Sequence, residues 1–299
     1  MRRRKVRLSF RLRRYLMFFV LVGPAVALRL WTAIYPVLQT IYLSFHELNL
    51  MTNTQKFVGF RNFTRAVQDP TNHDIAGFTV LFIVASVALQ LILGLLVALL
   101  LNAEFRGRNL VRTINLIPWA IPTIVAGLAF RWMLDDQYGL VTDWLFRLTG
   151  KHFEFLVQPG TARLWVILVN VWKNMPFMAV VLLAGLQSVP QELYEAARID
   201  GATPFQGFRY ITLPMSTGLL VTLGLFFFIW QLASFDLMLG MTHGGPGVAT
   251  TVIAYTIFQN GMLWFNWGMA SALGVFLIML VGIIGIIGLA LFRRYDISM

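Results

Sequence analysis

Two stretches of this chain carry residues whose types and spacing suit docking or binding, and a third looks superficially like a phosphate loop. The first stretch, residues 187–213, contains Pro190, Glu192, Tyr194, Glu195, Ala196, Ala197, Asp200, Gly201, Thr203 and Pro204, with Pro214 just beyond. Pro190 suits the start of a short helix, and Glu192 and Glu195 suit its first turns, where acids favour the helix dipole. Gly201 is suited to stop that helix. A second short helix is predicted to begin near Thr203 and Pro204 and to end before Pro214. Tyr194, Ala197 and Ala202 have helical spacing and would form one small apolar face. Two readings fit this pattern: an ordinary connection lying at a membrane interface, or a docking helix that inserts into a soluble partner.

The second stretch is Asn170-Val171-Trp172-Lys173-Asn174-Met175-Pro176-Phe177. Amides donate and accept hydrogen bonds, and an aromatic ring offers a face for stacking. Pro176 is expected to kink a helix here and free a carbonyl. Asn170, Trp172, Lys173, Asn174 and Phe177 are therefore candidates for a substrate path, and the competing reading is a polar contact with another membrane subunit. Gly244-Gly245-Pro246-Gly247 lacks the Gly-Lys-Ser/Thr ending of a phosphate loop and reads as a turn. The four histidines are scattered without ligand spacing, so no metal is expected. With no cysteine, disulfide and thiolate chemistry are excluded. No nucleophile, acid and base converge, so the chain is not expected to catalyse a reaction, nor to bind a cofactor.

The elements that position these residues are long and apolar. Of 299 residues 58% are hydrophobic and 12% charged, and the mean hydropathy is +0.71. A soluble domain of this size carries about 25% charged residues. Six runs are long enough to cross a bilayer, at residues 15–41, 78–101, 113–134, 163–186, 217–240 and 269–292. Backbone in lipid satisfies its own hydrogen bonds, and continuous apolarity excludes the alternation of a barrel strand, so these runs are predicted helices. The expected fold is an all-α integral membrane domain over 15–299, preceded by a basic tail at 1–14.

Much of the net charge of +11 sits between Arg2 and Arg14, directly before an apolar run. That tract is expected to face anionic lipid and fix orientation, and no aromatic-basic module accompanies it that would suit nucleic acid. A cleaved leader is not expected, since the first run is too long and no small-residue cleavage site follows. With the N-terminus inside, about 15 Lys and Arg lie in inner segments against about 6 outside, which favours cytoplasmic termini and a cytoplasmic 187–213 loop. Arg29, Arg131, Lys173 and Asp236 fall within the predicted spans, where charged groups usually face protein or water. Gly282, Gly285 and Gly288 permit close packing in the last span.

Glu195-Ala196-Ala197, then Gly201, then Ile211-x-Leu213-Pro214 resembles the EAA signature of ATP-binding-cassette importer permeases, including its spacing. Leu186-Gln187-Ser188-Val189-Pro190 and Ile199-Asp200-Gly201-Ala202 are similar to the sugar-transporting branch. So are Tyr35-Pro36, Ser44-Phe45, residues 57–63, Asp69-Pro70, Phe235-Asp236, Thr242, Gly244-Gly245-Pro246 and Thr250. The maltose-type permease family fits best, although its namesake has extra spans and a large outer insert.

The resemblance implies that residues within 187–214 form a cytoplasmic coupling helix. Glu195, Ala196, Ala197, Asp200 and Gly201 would then contact a partner ATPase that uses ATP and Mg. It further implies a second permease in a heterodimer, two copies of the ATPase subunit and an extracytoplasmic sugar-binding protein facing Gly244, Gly245 and Pro246. The setting would be a bacterial inner membrane and the cargo a sugar. Glycerol-phosphate or another polyol is the alternative cargo. An ion-coupled secondary transporter would favour buried mid-membrane acids, and Asp236, near one end, is the one acid within the predicted spans. A membrane scaffold or sensor would not need the coupling loop.

Overall fold

The computed structural model describes residues 10–49 and 54–294. Most of the expected basic tail lies outside them; from Phe10 onward the chain is already helical. The order is α1 (Phe10–Ser44), a hairpin of β1 (His46–Asn49) and β2 (Thr54–Phe57), α2 (Arg61–Gln68), α3 (Pro70–Asn102), α4 (Arg108–Asn115), α5 (Ile117–Ala120), α6 (Thr123–Met133) and α7 (Leu140–Thr149). Then come α8 (Pro159–Gln187), α9 (Gln191–Ile199), α10 (Pro204–Gly207), α11 (Leu213–Leu232), α12 (Asp236–Met241), α13 (Ile253–Phe258) and α14 (Trp267–Arg294).

Among the described residues five helical stretches are long and apolar enough to cross a membrane, or six if a bent pair counts as one span. The predicted spans at 15–41, 78–101, 163–186 and 269–292 are helical throughout and longer than expected. Their ends run past the apolar stretch; α3, for instance, begins on Pro70 with the Asp69 carboxylate accepting from Thr71 N at 2.9 Å.

The other two spans need correction. The run at 113–134 is not one helix but Arg108–Ala120 followed by Thr123–Met133, bent by 88°. Its cause is Pro118 and Pro122, which interrupt the backbone ladder four residues apart. The run at 217–240 ends at Leu232, and Ala233, Ser234 and Phe235 break it before α12 starts at Asp236. The break lets α12 turn back against α6. There the helices meet backbone to backbone, since an added Cβ at Gly240 would lie 2.6 Å from Ile124 O and one at Gly127 3.1 Å from Leu237 O. Small residues at such crossings are how membrane helices gain contact without a hydrophobic driving force.

The core is the α3–α8 pair. Phe82, Ile83 and Ala98 of α3 and Val166, Met178 and Leu182 of α8 are fully enclosed. Gly94 allows the approach, with an added Cβ only 3.2 Å from Met178 Cγ. Gln90 Nε2 donates to Asn170 O at 3.3 Å across the pair. The connection 241–268 carries α13 and a wide helical turn, Gln259–Leu263, with Tyr255, Thr256 and Asn260 buried among the spans.

Candidate functional site

Residues 187–213 fold at one end of the bundle, between α8 and α11. Helix α9 begins after Pro190 and closes on Gly201, as its sequence suggests. The closure is a Schellman pair: Ala202 N donates to Ala197 O at 2.8 Å and Gly201 N to Arg198 O at 3.1 Å. Gly201 takes a φ of +79°, a conformation that glycine reaches without steric cost. Thr203 and Gln206 then cap α10 reciprocally, through Gln206 N to Thr203 Oγ1 and Thr203 N to Gln206 Oε1.

The second short helix does not end before Pro214. It passes through a wide turn, Phe208–Thr212, directly into α11. Proline has no N–H to give the preceding turn, and a wide turn absorbs that loss without breaking the helix. The hydroxyls of Tyr194 and Thr212 pair at 2.9 Å, so α9 is tied to the foot of α11.

Exposure divides α9 into two faces. Tyr194, Ala197 and Ala202, the predicted apolar face, are half-buried against the rest of the chain. Glu195, Ala196, Asp200 and Gly201 are exposed. So are Ile199 at 87% and Phe205 at 71%, large apolar side chains that the sequence reading passed over. A signal existed for Ile199, since an isoleucine beside the Asp200-Gly201 stop has no chain of its own to pack on.

The second cluster lies on one stretch of α8 and faces the broken span. Lys173 Nζ donates to Trp119 O at 3.2 Å, at the end of α5, where the break frees carbonyls. Asn115 Nδ2 donates to Pro176 O at 3.4 Å, and the rings of Phe177 and Trp119 stack at 4.9 Å. Asn174 Nδ2 donates to Asn170 Oδ1 at 2.9 Å. Asn170 and Lys173 are only 1% and 5% exposed, so both are enclosed within this chain. Trp172 is 38% exposed with Phe130 edge-on to it, and Asn174 and Phe177 are half-buried. α8 stays continuous through Pro176. Beyond Phe177 ring contacts continue through the buried Phe227 to Phe226 and Trp230, which are exposed, each ring within 6.2 Å of the next.

The third group sits beyond α12. Thr242 Oγ1 and Thr250 Oγ1 pair at 2.6 Å, Thr250 Oγ1 also donates to Gly245 O at 2.8 Å, and Thr251 Oγ1 donates to Gly244 O at 3.1 Å. Arg163 Nε holds the same turn through Ala249 O at 2.8 Å. Gly244 is buried at φ +83°, where an added Cβ would lie 2.4 Å from Thr251 Oγ1. Gly245 and Pro246 are half-buried and border a cleft of about 220 Å³, together with Arg131, Asp135, Asp136 and Thr242. The three groups remain separate from one another. Among the described residues no cluster of acids and histidines has the make-up of a metal site.

Comparison with known proteins fits this geometry. The chain is 37% identical to the sulfoquinovosyl glycerol transport system permease protein SmoG of Agrobacterium fabrum, over 94% of this chain and 92% of that one. It is 38% identical to the trehalose/maltose transport system permease protein MalF of Thermococcus litoralis, over 88% and 89%. The fold superimposes on a chain of the bacterial alginate ABC transporter, solved with an alginate pentasaccharide-bound periplasmic protein, with a TM-score of 0.84 at 24% identity, covering 96% and 98%. Residues 90–297 match the family described as the inner membrane component of binding-protein-dependent transport systems. With spans, loop and match agreeing over most of its length, the chain belongs to that family of multi-pass inner-membrane permeases.

Proposed function

We propose that this chain is one pore-forming subunit of an ATP-binding-cassette importer that moves a carbohydrate delivered by an extracytoplasmic binding protein. The family supplies the dependence on a binding protein. The two relatives named above carry a sulfoquinovosyl glycerol and a trehalose or maltose cargo by name, and each aligns with nearly the whole chain. The observation that carries the coupled reading is α9. It is exposed, closed by Gly201, and tied to α11 by Tyr194 and Thr212.

In this reading residues 187–214 are cytoplasmic, as are both termini, and α9 seats in a partner ATPase. Glu195, Ala196, Ala197, Asp200 and Gly201 meet the ATPase surface, with Ile199 and Phe205 adding apolar anchors. Small alanines permit close approach, and the Glu195 carboxylate pairs with a basic group. Two ATPase copies use ATP and Mg, so this chain transports without catalysing hydrolysis. Movement of α9 passes into two spans at once, through the chain into α8 and through Tyr194–Thr212 into α11. α8 in turn holds the broken span at Trp119. ATP-driven closure below thus reaches the substrate path, and a second permease completes the pore.

The path itself runs along Trp172, Asn174 and Phe177, with Asn170 and Lys173 fixing the broken span behind it. Rings stack on the C–H faces of a pyranose while amides bond its hydroxyls. Gly244, Gly245 and Pro246 present a preformed turn to the binding protein.

The test is uptake by the complex reconstituted in proteoliposomes, with its binding protein and a panel of labelled disaccharides, sulfosugar glycosides, glycerol phosphate and polyols. ATP-dependent, binding-protein-dependent uptake of a glycoside is expected. Uptake of polyol or glycerol phosphate alone would correct the cargo. Uptake driven by an ion gradient without ATP would overturn the reading.

A further inference from the structure

Packing does not explain why a glutamine stands at position 90. Gln90 is fully enclosed on α3, in an interface with α8 otherwise built largely from side chains such as Phe82, Ile83, Met178 and Leu182. Its amide makes one hydrogen bond, from Nε2 to Asn170 O at 3.3 Å, and its Oε1 has no partner among the described residues. An enclosed carbonyl left bare costs stability. Methionine has a similar length and would fill the same place without that cost. Native proteins accept such unpaired groups chiefly where function requires them.

What Gln90 holds is Asn170, and Asn170 in turn holds Asn174. Asn170 O also accepts from Asn174 Nδ2 at 3.0 Å, and Asn170 Oδ1 accepts from the same nitrogen at 2.9 Å. A backbone carbonyl can only accept, so the group that each of these amides turns toward Asn170 O is its NH2. The Asn174 amide therefore has one orientation, with its NH2 held by both oxygens of Asn170. Its Oδ1 is left over: that atom takes no hydrogen bond among the described residues and, unlike Gln90 Oε1, is not enclosed. Gln90 and Asn170 are shut inside the chain, and Asn174 is half-buried. We infer that Gln90 is a positioning residue for cargo recognition: through Asn170 it keeps Asn174 Oδ1 turned to the substrate path, where that oxygen accepts a hydrogen bond from a sugar hydroxyl. Selection at this point is then by polarity. A fixed acceptor favours a hydroxyl and rejects a group that cannot donate, because the acceptor would be left unpaired.

This role rests on the carbohydrate reading and the substrate path given above, and the experiment separates them. The reconstituted complex, with saturating binding protein, is given labelled maltose, trehalose or a sulfosugar glycoside, whichever the wild type takes up. It is also given analogues of that sugar in which one hydroxyl at a time is replaced by fluorine, which is small and cannot donate. In the wild type one analogue should be taken up several-fold more slowly than its parent. Asn174→Ala should abolish that difference. Gln90→Met should shrink it while the melting temperature and the recovery of the complex stay at wild-type values. Adding Gln90→Met to Asn174→Ala should change nothing further, as expected of residues that act through one another. An undiminished difference in Gln90→Met, or a further loss in the double variant, would overturn the positioning role. A lower melting temperature or recovery of Gln90→Met would make it a packing residue and do the same. Equal uptake of every analogue by the wild type, or a difference that survives Asn174→Ala, would overturn the assignment of Asn174 Oδ1 as the acceptor. ATP-dependent uptake of no glycoside at all would overturn the carbohydrate reading itself.

Discussion

Single residues here divide into those that hold backbone and those that present surface. Gly201 belongs to the first kind. Its φ of +79° costs a side chain roughly 1 kcal/mol, more if the side chain is β-branched. An added Cβ there meets nothing in this chain, so the penalty is conformational. Gly201→Val is thus expected to release the ATPase from the purified complex more readily than Gly201→Asn, since Asn tolerates the left-handed region; equal ATPase retention would show that the turn is not critical. Lys173 also holds backbone. Lys173→Met keeps the stem but leaves Trp119 O without its donor, a loss of about 1–3 kcal/mol, so the melting temperature in detergent should fall. Asn174→Ala removes a half-buried amide from the proposed path. Uptake at limiting sugar should drop a few-fold, because one hydrogen bond is worth about 0.5–1.5 kcal/mol; unchanged uptake would remove Asn174 from the path. Local sequence marks residues 170–177 as candidates on a helix with a proline. It did not show which way each faces, because that is set by α3 and the broken span, far away in the chain.

At the scale of elements, helix punctuation was the most legible feature. Pro190, Gly201 and Thr203-Pro204 mark starts and stops by local chemistry, and all three sit at helix ends in the structure. The broken third span was equally written in Pro118 and Pro122, but continuous apolarity argued for one helix and hid it. The end of α11 and the burial of α13 were not legible, since both depend on packing against α6 and α3. The α6–α12 contact gives an element-scale test. Gly240→Val would drive a branched side chain into Ile124 O, already 2.6 Å from a bare Cβ. The subunit should then be recovered from membranes at much lower yield, whereas Gly282→Val, in open space on α14, should be tolerated as far as this chain's own packing is concerned.

For the whole molecule, the charge asymmetry of the segments between spans predicts that the 187–213 end of the bundle is cytoplasmic. A cysteine at Gln206 in this cysteine-free chain should react with a membrane-impermeant thiol reagent only after cells are opened, and labelling in intact spheroplasts would invert the topology. The central claim is that α9 couples an ATPase to the pore without touching the cargo. Glu195→Lys places a like charge before the presumed basic partner, and Gly201→Asp puts a side chain and a new negative charge on the docking surface. Both residues are exposed and lie outside the proposed substrate path. The most direct measurement takes each variant complex in proteoliposomes and follows binding-protein-stimulated ATP hydrolysis and sugar uptake together. Both activities should fall while the subunit still inserts and pairs with the second permease. Wild-type hydrolysis and uptake in both variants would contradict the coupling role of α9, and with it the reading of this chain as an ATP-driven importer subunit.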